Sequence, residues 1–284
     1  MSTVIVNGFF VGLVYGLLAV GLVVVYRGSR VINFAYGETG MIGAFLFSEL
    51  TGNGLALPLA LAAGIGLSAV LGGATQVLVV RPLRDQPPLT AMVATLAVAA
   101  LILSYASRRY GLNPHYQPPI IGGSGIRLGG VDVQPGQLLV LAVSALCLLG
   151  LGALYRGSSF GLRLRATALD PTAAGLVGVN TTATSVATWA MAGALAGLSA
   201  ILVAPSVAFT VFFMTARLLR SVAAALVGGL TSIGGAFAAG IALGIGEGVI
   251  GYVTPVTGAV ELTVALSVIV LLLLRPQGLV RSAY

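Results

Sequence analysis

Long apolar runs separated by short polar breaks dominate the chain. A membrane-crossing helix needs about 20 apolar residues. Runs of that order occupy 3–26, 34–51, 55–80, 89–106, 137–155, 184–204, 234–253 and 258–274. A ninth stretch, 208–230, is apolar but is interrupted by Arg217 and Arg220 and closes on Gly228-Gly229. The pattern predicts an all-α fold, a polytopic transmembrane helical bundle of eight or nine spans, with 1–284 forming a single transmembrane domain. The first run is too long for the core of a signal peptide and lacks a basic leader, so it is expected to stay as a span.

Two segments read as broken or re-entrant helices. One is Asn33-Phe34-Ala35-Tyr36-Gly37-Glu38-Thr39-Gly40 and the other is Gly228-Gly229-Leu230-Thr231-Ser232-Ile233-Gly234-Gly235. Both place glycine and small polar residues beside strongly apolar runs. Irregular backbone at membrane depth is tolerated only where protein buries it or a wet cavity borders it, and paired interruptions point to a translocation path. Met41-Ile42-Gly43-Ala44-Phe45 echoes Ser232-Ile233-Gly234-Gly235-Ala236-Phe237, which fits either an internal repeat or shared low-complexity composition.

Small residues recur at helical spacing as well. Gly8, Gly12 and Gly16 make two successive GxxxG steps, and Gly240, Gly244 and Gly248 make two more, with Ala236 in phase. Such stripes let a second backbone approach closely. Packing within the chain is the favoured reading over a subunit interface.

Composition sharpens the class. Of 284 residues, 58% are hydrophobic and 7% charged, against about 25% charged in soluble domains, and mean hydropathy is +1.06. All 14 basic residues are arginine. Without lysine the chain can be neither a P-loop ATPase nor a Schiff-base enzyme. The net charge of +7 does not indicate nucleic-acid binding, because the arginines sit in short loops rather than on a clustered basic face.

Those arginines set a topology. With the loop 156–183 (Arg156, Arg163, Arg165) inside, the loops carrying Arg27, Arg30, Arg81 and Arg84 also fall inside. The loop 107–136 falls outside. If 208–230 crosses, the tail with Arg275 and Arg281 is inside, giving nine arginines inside and five outside, an outer N-terminus and an inner C-terminus.

Few residues carry candidate chemistry. Cys147 is alone in an apolar run and reads as a buried small hydrophobe. His115 is the single histidine, so no metal cluster is expected. Glu38 and Glu247 fall within or near the membrane, where a carboxylate should face protein or water. Glu38 could instead cap a helix beside Gly37 or lie at the interface near Arg27 and Arg30. Glu49 and Glu261 lie nearer span ends. Arg217 and Arg220 share a helix face and could attract a substrate carboxylate at the outer mouth or snorkel to headgroups. Within 156–183, Asp170-Pro171 reads as an N-cap followed by proline at the first helical position. A short helix over 171–177 should follow and end near Gly178, in a place suited to docking a partner or to a plain connector.

Five pieces in order carry a resemblance. They are Asn7-Gly8, Gly12, Tyr15-Gly16 and Ala19-Val20-Gly21; then Val31-Ile32-Asn33-Phe34-Ala35-Tyr36-Gly37-Glu38 with Gly43-Ala44; then Gly161, Arg165-Ala166, Asp170, Ala174 and Gly178-Val179-Asn180; then Gly228-Gly229, Ser232, Gly235-Ala236 and Gly240; and Arg275-Pro276-Gln277-Gly278-Leu279. Together they resemble permeases of branched-chain amino acid ABC importers of the LivH type. The second piece departs at Tyr36, where the family usually has histidine. Both side chains hydrogen-bond, but histidine alone titrates near neutral pH, so no protonation role is carried over.

The resemblance implies a transport subunit without bond chemistry of its own, in the bacterial cytoplasmic (inner) membrane. Its partners would be a LivM-like second permease or a second copy of this chain, two ABC ATPase subunits holding ATP and magnesium, and an extracytoplasmic binding protein. No cofactor is expected in this chain. Gly161, Arg165, Ala166, Asp170, Ala174 and Gly178 would form the ATPase-coupling loop. The polar groups at the first break, Asn7, Tyr15, Asn33, Glu38 and Thr39, are the candidate substrate path. Gly37, Gly228, Gly229, Ser232 and Gly235 are the candidate broken-helix and packing positions. Relatives handle branched-chain amino acids, amides, urea or aromatic carboxylates. A transporter driven by an ion gradient, with Glu38 and Glu247 as its ion site, is the competing reading. A membrane enzyme would need a nucleophile–base or metal cluster, which the residues do not supply.

Overall fold

A computed structural model describes residues 1–274 apart from 129, 255 and 257. The Arg275–Leu279 motif therefore lies outside the described residues. Eleven α-helices and one small hairpin are formed among the described residues: α1 (Ser2–Ser29), α2 (Tyr36–Gly52), α3 (Leu57–Thr75), α4 (Pro88–Tyr110), β1 (Ile126–Leu128), β2 (Val131–Val133), α5 (Pro135–Gly157), α6 (Ser159–Leu169), α7 (Pro171–Leu176), α8 (Thr181–Val203), α9 (Phe213–Gly228), α10 (Ile233–Val253) and α11 (Ala259–Leu274). The antiparallel hairpin pairs Arg127 with Asp132 and is the one departure from an all-α reading.

Six helical stretches are long and apolar enough to cross a membrane: Ser2–Ser29, Leu57–Leu83, Pro88–Tyr110, Pro135–Gly157, Thr181–Ser206 and Ile233–Val253. The expected spans 34–51, 258–274 and 208–230 become α2, α11 and α9, of 17, 16 and 16 residues. At 1.5 Å per residue α2 and α9 reach about 25 Å, short of a hydrocarbon core of about 30 Å, whereas α11 is described only as far as Leu274. The chain is thus a multi-pass helical membrane protein with six stretches of spanning length among the described residues. Apolar runs overestimate helix length at α2 and α9 because the helices begin late, after irregular backbone at 33–35 and 207–212.

The chain divides into two compact units: residues 1–23, 119–148 and 219 onward in the first, 24–118 and 149–218 in the second. In the first unit the two GxxxG stripes meet. A Cβ on Gly8 would fall 2.7 Å from Gly244 O, and one on Gly12 the same distance from Ile241 Cα. A Cβ on Gly16 would fall 2.8 Å from Phe237 O. Backbone lies directly against backbone, as the favoured intrachain reading required.

The second unit has its core where α2, α3 and α8 pack together, and the same device operates there with different residues. Gly64, Ser68 and Gly72 stand four apart on α3. A Cβ on Gly43 would sit 2.6 Å from Gly64 O, one on Gly193 2.2 Å from Ser68 O, and one on Gly72 2.4 Å from Trp189 O. Ser68 Oγ donates to Thr39 O at 3.0 Å across the α2–α3 contact. Trp189 is fully buried, and its indole N–H donates to Ser29 Oγ at 3.1 Å, fastening the end of α1 to α8. Beyond α3, residues Gln76–Val80 widen into a π-type turn, where Gln76 Nε2 donates to Ser185 Oγ at 2.8 Å.

The 156–183 segment holds two helices rather than the single one expected. Ser158 Oγ accepts from Gly161 N at 2.9 Å and starts α6, whose Gly161, Leu164 and Ala168 are buried at i, i+3 and i+7. Asp170 then starts α7, accepting from Thr172 N at 2.8 Å and Ala173 N at 3.0 Å. Gly178 ends it in the left-handed region, φ 83°. Asn180 Oδ1 caps α8 through Ala183 N at 2.9 Å.

Candidate functional site

The first break is the turn between α1 and α2, and its backbone groups are satisfied locally. Asn33 is 2% exposed, and its Oδ1 accepts from Ala35 N at 2.9 Å. Phe34 N donates to Thr95 Oγ1 at 3.0 Å. Ala35, which has no capping side chain, precedes the first turn of α2. Residues Tyr36 to Phe45 are all buried, so α2 begins inside the protein rather than at its surface.

Glu38 sits in that first turn, where the helix dipole favours a negative charge. It is not the N-cap, a position held by Ala35, and its side chain is buried in protein. Thr215 Oγ1 donates to Glu38 Oε1 at 3.0 Å. No protein donor reaches Glu38 Oε2, although that atom is buried. Gly37 admits α9 to this turn, since a Cβ there would lie 3.1 Å from Leu218 Cβ. Thr39 spends its hydroxyl on Tyr36 O at 2.7 Å. The site therefore offers one buried carboxylate oxygen suited to an N–H or ammonium donor, with Asn33 and Thr39 as its scaffold.

The other two path candidates belong to the first unit. Asn7 is exposed, and its Oδ1 accepts from Gln137 Nε2 at 3.0 Å. Tyr15 is buried, and its hydroxyl donates to Glu247 Oε2 at 2.9 Å. Arg220 Nε donates to the other Glu247 oxygen, and its Nη2 lies 3.3 Å from Glu261 Oε1. The Arg220 and Glu247 side chains are 19% and 11% exposed. Arg220 thus joins Glu247 and Glu261, and Glu247 faces protein, as its place beside an apolar run led one to expect. Arg217, three residues before Arg220, donates to Phe213 O and lies over the Phe213 ring. Glu49, nearer a helix end, pairs with Arg109. His115 forms a two-residue bridge with Phe209 and packs edge-on to Phe45.

The second break is the α9–α10 turn. Gly228 ends α9 against Gly235, where a Cβ would fall 2.3 Å from the Gly235 carbonyl carbon. Gly229 adopts φ 94°, which a side chain would resist. Ser232 Oγ caps α10, accepting from Gly235 N at 3.0 Å. Both breaks are thus sharp joints between separate helices.

In the segment 156–183, Gly161 lets α6 fold tightly onto the end of α5, and a Cβ there would lie 2.2 Å from Leu154 O. Arg165 and Asp170 are exposed, Ala166 is half-buried and Ala174 is buried. Sequence reasoning passed over the apolar side chains beside them: Leu169, Leu176 and Val177 are 64%, 84% and 78% exposed. Their signal was present as leucine and valine in an otherwise polar loop.

A family model described as a branched-chain amino acid transport system permease component matches residues 4–274. The permease protein BraD of Pseudomonas aeruginosa, named for high-affinity branched-chain amino acid transport, is 29% identical over 268 residues, covering 86% of this chain and 84% of BraD. The corresponding LivH of Escherichia coli K12 is 28% identical over 258 residues, covering 85% of this chain and 83% of LivH. A probable LivH of Methanocaldococcus jannaschii is 30% identical over 247 residues, covering 83% of this chain and 76% of that protein. Among solved structures, a chain of PsaBC from Streptococcus pneumoniae in complex with Fab shares the fold with a TM-score of 0.53 at 14% identity, covering 97% of this chain and 92% of that chain. With the family model spanning nearly every described residue, the chain belongs to the family of permease components of branched-chain amino acid transport systems.

Proposed function

We propose that this chain is the transmembrane permease subunit of an ABC importer in the bacterial cytoplasmic membrane, forming the path for branched-chain amino acids or closely related small solutes. The family match over residues 4–274 is the observation that carries the reading. The chain acts as one permease domain. ATP and magnesium are held by two separate ATPase subunits docked on 156–183. A LivM-like permease or a second copy of this chain completes the path, and an extracytoplasmic binding protein delivers the solute. The shorter helices α2 and α11 also cross, matched by local thinning of the bilayer, which brings the crossings to eight, and α9 makes nine, with the N-terminus outside.

Glu38 is the contact for the solute's ammonium or amide group, supported by the buried Oε2 that no protein donor reaches. Asn33 and Thr39 hold the turn that presents it. The competing ion-gradient reading loses support at Glu247, because a carboxylate already paired with Arg220 is poorly placed to take up a coupling ion. Uptake of radiolabelled leucine into proteoliposomes holding the purified complex and its binding protein tests the proposal. ATP-dependent uptake that ignores a collapsed ion gradient is expected. Uptake that follows the gradient and ignores ATP would overturn it.

A further inference from the structure

Arg30 occupies a position where helices usually end on glycine. Its N–H donates to Tyr26 O at 2.8 Å, closing α1, and its backbone is left-handed, φ 56°. Among the described residues it is the one non-glycine with a positive φ. A Cβ is disfavoured in that conformation, so a long side chain there needs a compensating contact, and an observed outlier of this kind points towards function.

The contact is specific. Arg30 Nη2 donates to Ala168 O at 2.9 Å, and the guanidinium carbon lies 5.8 Å from the Tyr26 ring centroid. Ala168 belongs to the last turn of α6, whose carbonyls lack helical partners and favour a cation. Two residues further on, Asp170 caps α7. In the other direction, two residues separate Arg30 from Asn33, which organises the turn into α2, and Glu38 follows in its first turn. The end of α1 has independent anchors on α8, in the Trp189–Ser29 hydrogen bond and the close approach of Gly28 to Thr188. Holding α1 in place therefore does not require the guanidinium. The Arg30–Ala168 hydrogen bond is instead a direct tie between α6 and the α1–α2 turn.

We infer that Arg30 is the positioning residue that transmits movement of the α6–α7 segment to the first turn of α2. The inference rests on the reading of 156–183 as the ATPase-docking segment. Displacing α6 pulls on Arg30 through Ala168 O, and the short chain from Arg30 to Asn33 passes the displacement to Glu38.

Arg30→Gly keeps the left-handed backbone and removes the guanidinium. Arg30→Asn is the second variant, since asparagine tolerates this conformation and is too short to reach Ala168 O. In the full complex, with Cys147→Ala and Phe34→Cys, maleimide labelling of position 34 is timed with and without ATP and vanadate. With Arg30 present, trapping changes the labelling rate by about fivefold or more. In Arg30→Gly and Arg30→Asn that change falls below about twofold, while the ATPases still co-purify and basal ATP hydrolysis persists. Arg30→Lys, with a charged donor on a long stem, restores part of the response. An undiminished response in both Arg30→Gly and Arg30→Asn would overturn the inference. If the ATPases assemble equally well on a chain carrying Arg165→Glu and Asp170→Ala, the docking reading fails instead, and that result is separate from the labelling ratio.

Discussion

Glu38 shows how a single side chain can be legible in a sequence while its surroundings are not. A carboxylate beside an apolar run marks the position on solvation grounds. Its partner Thr215 lies 177 residues away in a stretch interrupted by arginines, and no local pattern connects the two. On the proposal that Glu38 contacts the solute, Glu38→Ala removes a charge-assisted contact worth about 1.5–3 kcal/mol, so leucine uptake should fall by roughly tenfold or more. Thr215→Val should lower it less. Wild-type uptake in Glu38→Ala at normal expression removes the assignment. Glu247 was singled out by the same argument and has a different role, because Tyr15 and Arg220, 232 and 27 residues away, compensate it. Breaking one side of such a buried pair costs about 3–5 kcal/mol, whereas an apolar replacement of both partners is often neutral. Glu247→Leu or Arg220→Met alone should therefore lower the yield of folded protein in detergent, and the double variant should recover much of it. A double variant worse than either single one would refute this account.

Helices and their contacts were readable where spacing carried the information. The Gly8–Gly16 and Gly240–Gly248 stripes meet each other, and the Asp170-Pro171 start of α7 forms as expected. The Gly64–Ser68–Gly72 stripe of α3 has the same spacing but went unread, since one member is serine and the helix is apolar all round. Ser158 and the buried 161, 164 and 168 positions signal α6 equally well, yet the arginines between them mask the pattern. Two substitutions test the packing. A Cβ on Gly244 would fall 2.3 Å from Gly12 N, whereas one on Gly246 meets nothing within 4 Å. Gly244→Ala should sharply reduce folded yield and thermal stability in detergent, and Gly246→Ala should leave both near wild type. Equal behaviour of the two would argue against backbone contact between α1 and α10. In the segment proposed to dock the ATPases, Asp170→Ala removes the cap of α7 at a cost of about 1 kcal/mol. Binding-protein stimulation of ATP hydrolysis should then drop, with basal hydrolysis retained. Unchanged stimulation would count against this segment as the docking element.

At the scale of the whole molecule, hydropathy identifies a membrane protein and ordered motifs identify its family. Neither measures helix length. Among the described residues six helical stretches reach crossing length, and α2 and α9 fall short because hydropathy does not register where a helix begins. The buried start of α2 at Tyr36 illustrates the point. The break expected at Asn33–Gly40 is there, but the apolar run from Phe34 did not show that the chain turns over 33–35 and presents Glu38 inside the protein. The division into two compact units was not legible at all, since each unit gathers segments far apart in sequence. The central claim, that this permease works with separate ATPases, is tested most directly by purifying the tagged chain from its native membrane in mild detergent and identifying what accompanies it. Two P-loop ATPase subunits and a second permease chain are expected in the complex. Recovery of this chain alone, with uptake that collapses with the ion gradient and ignores ATP, would contradict the account.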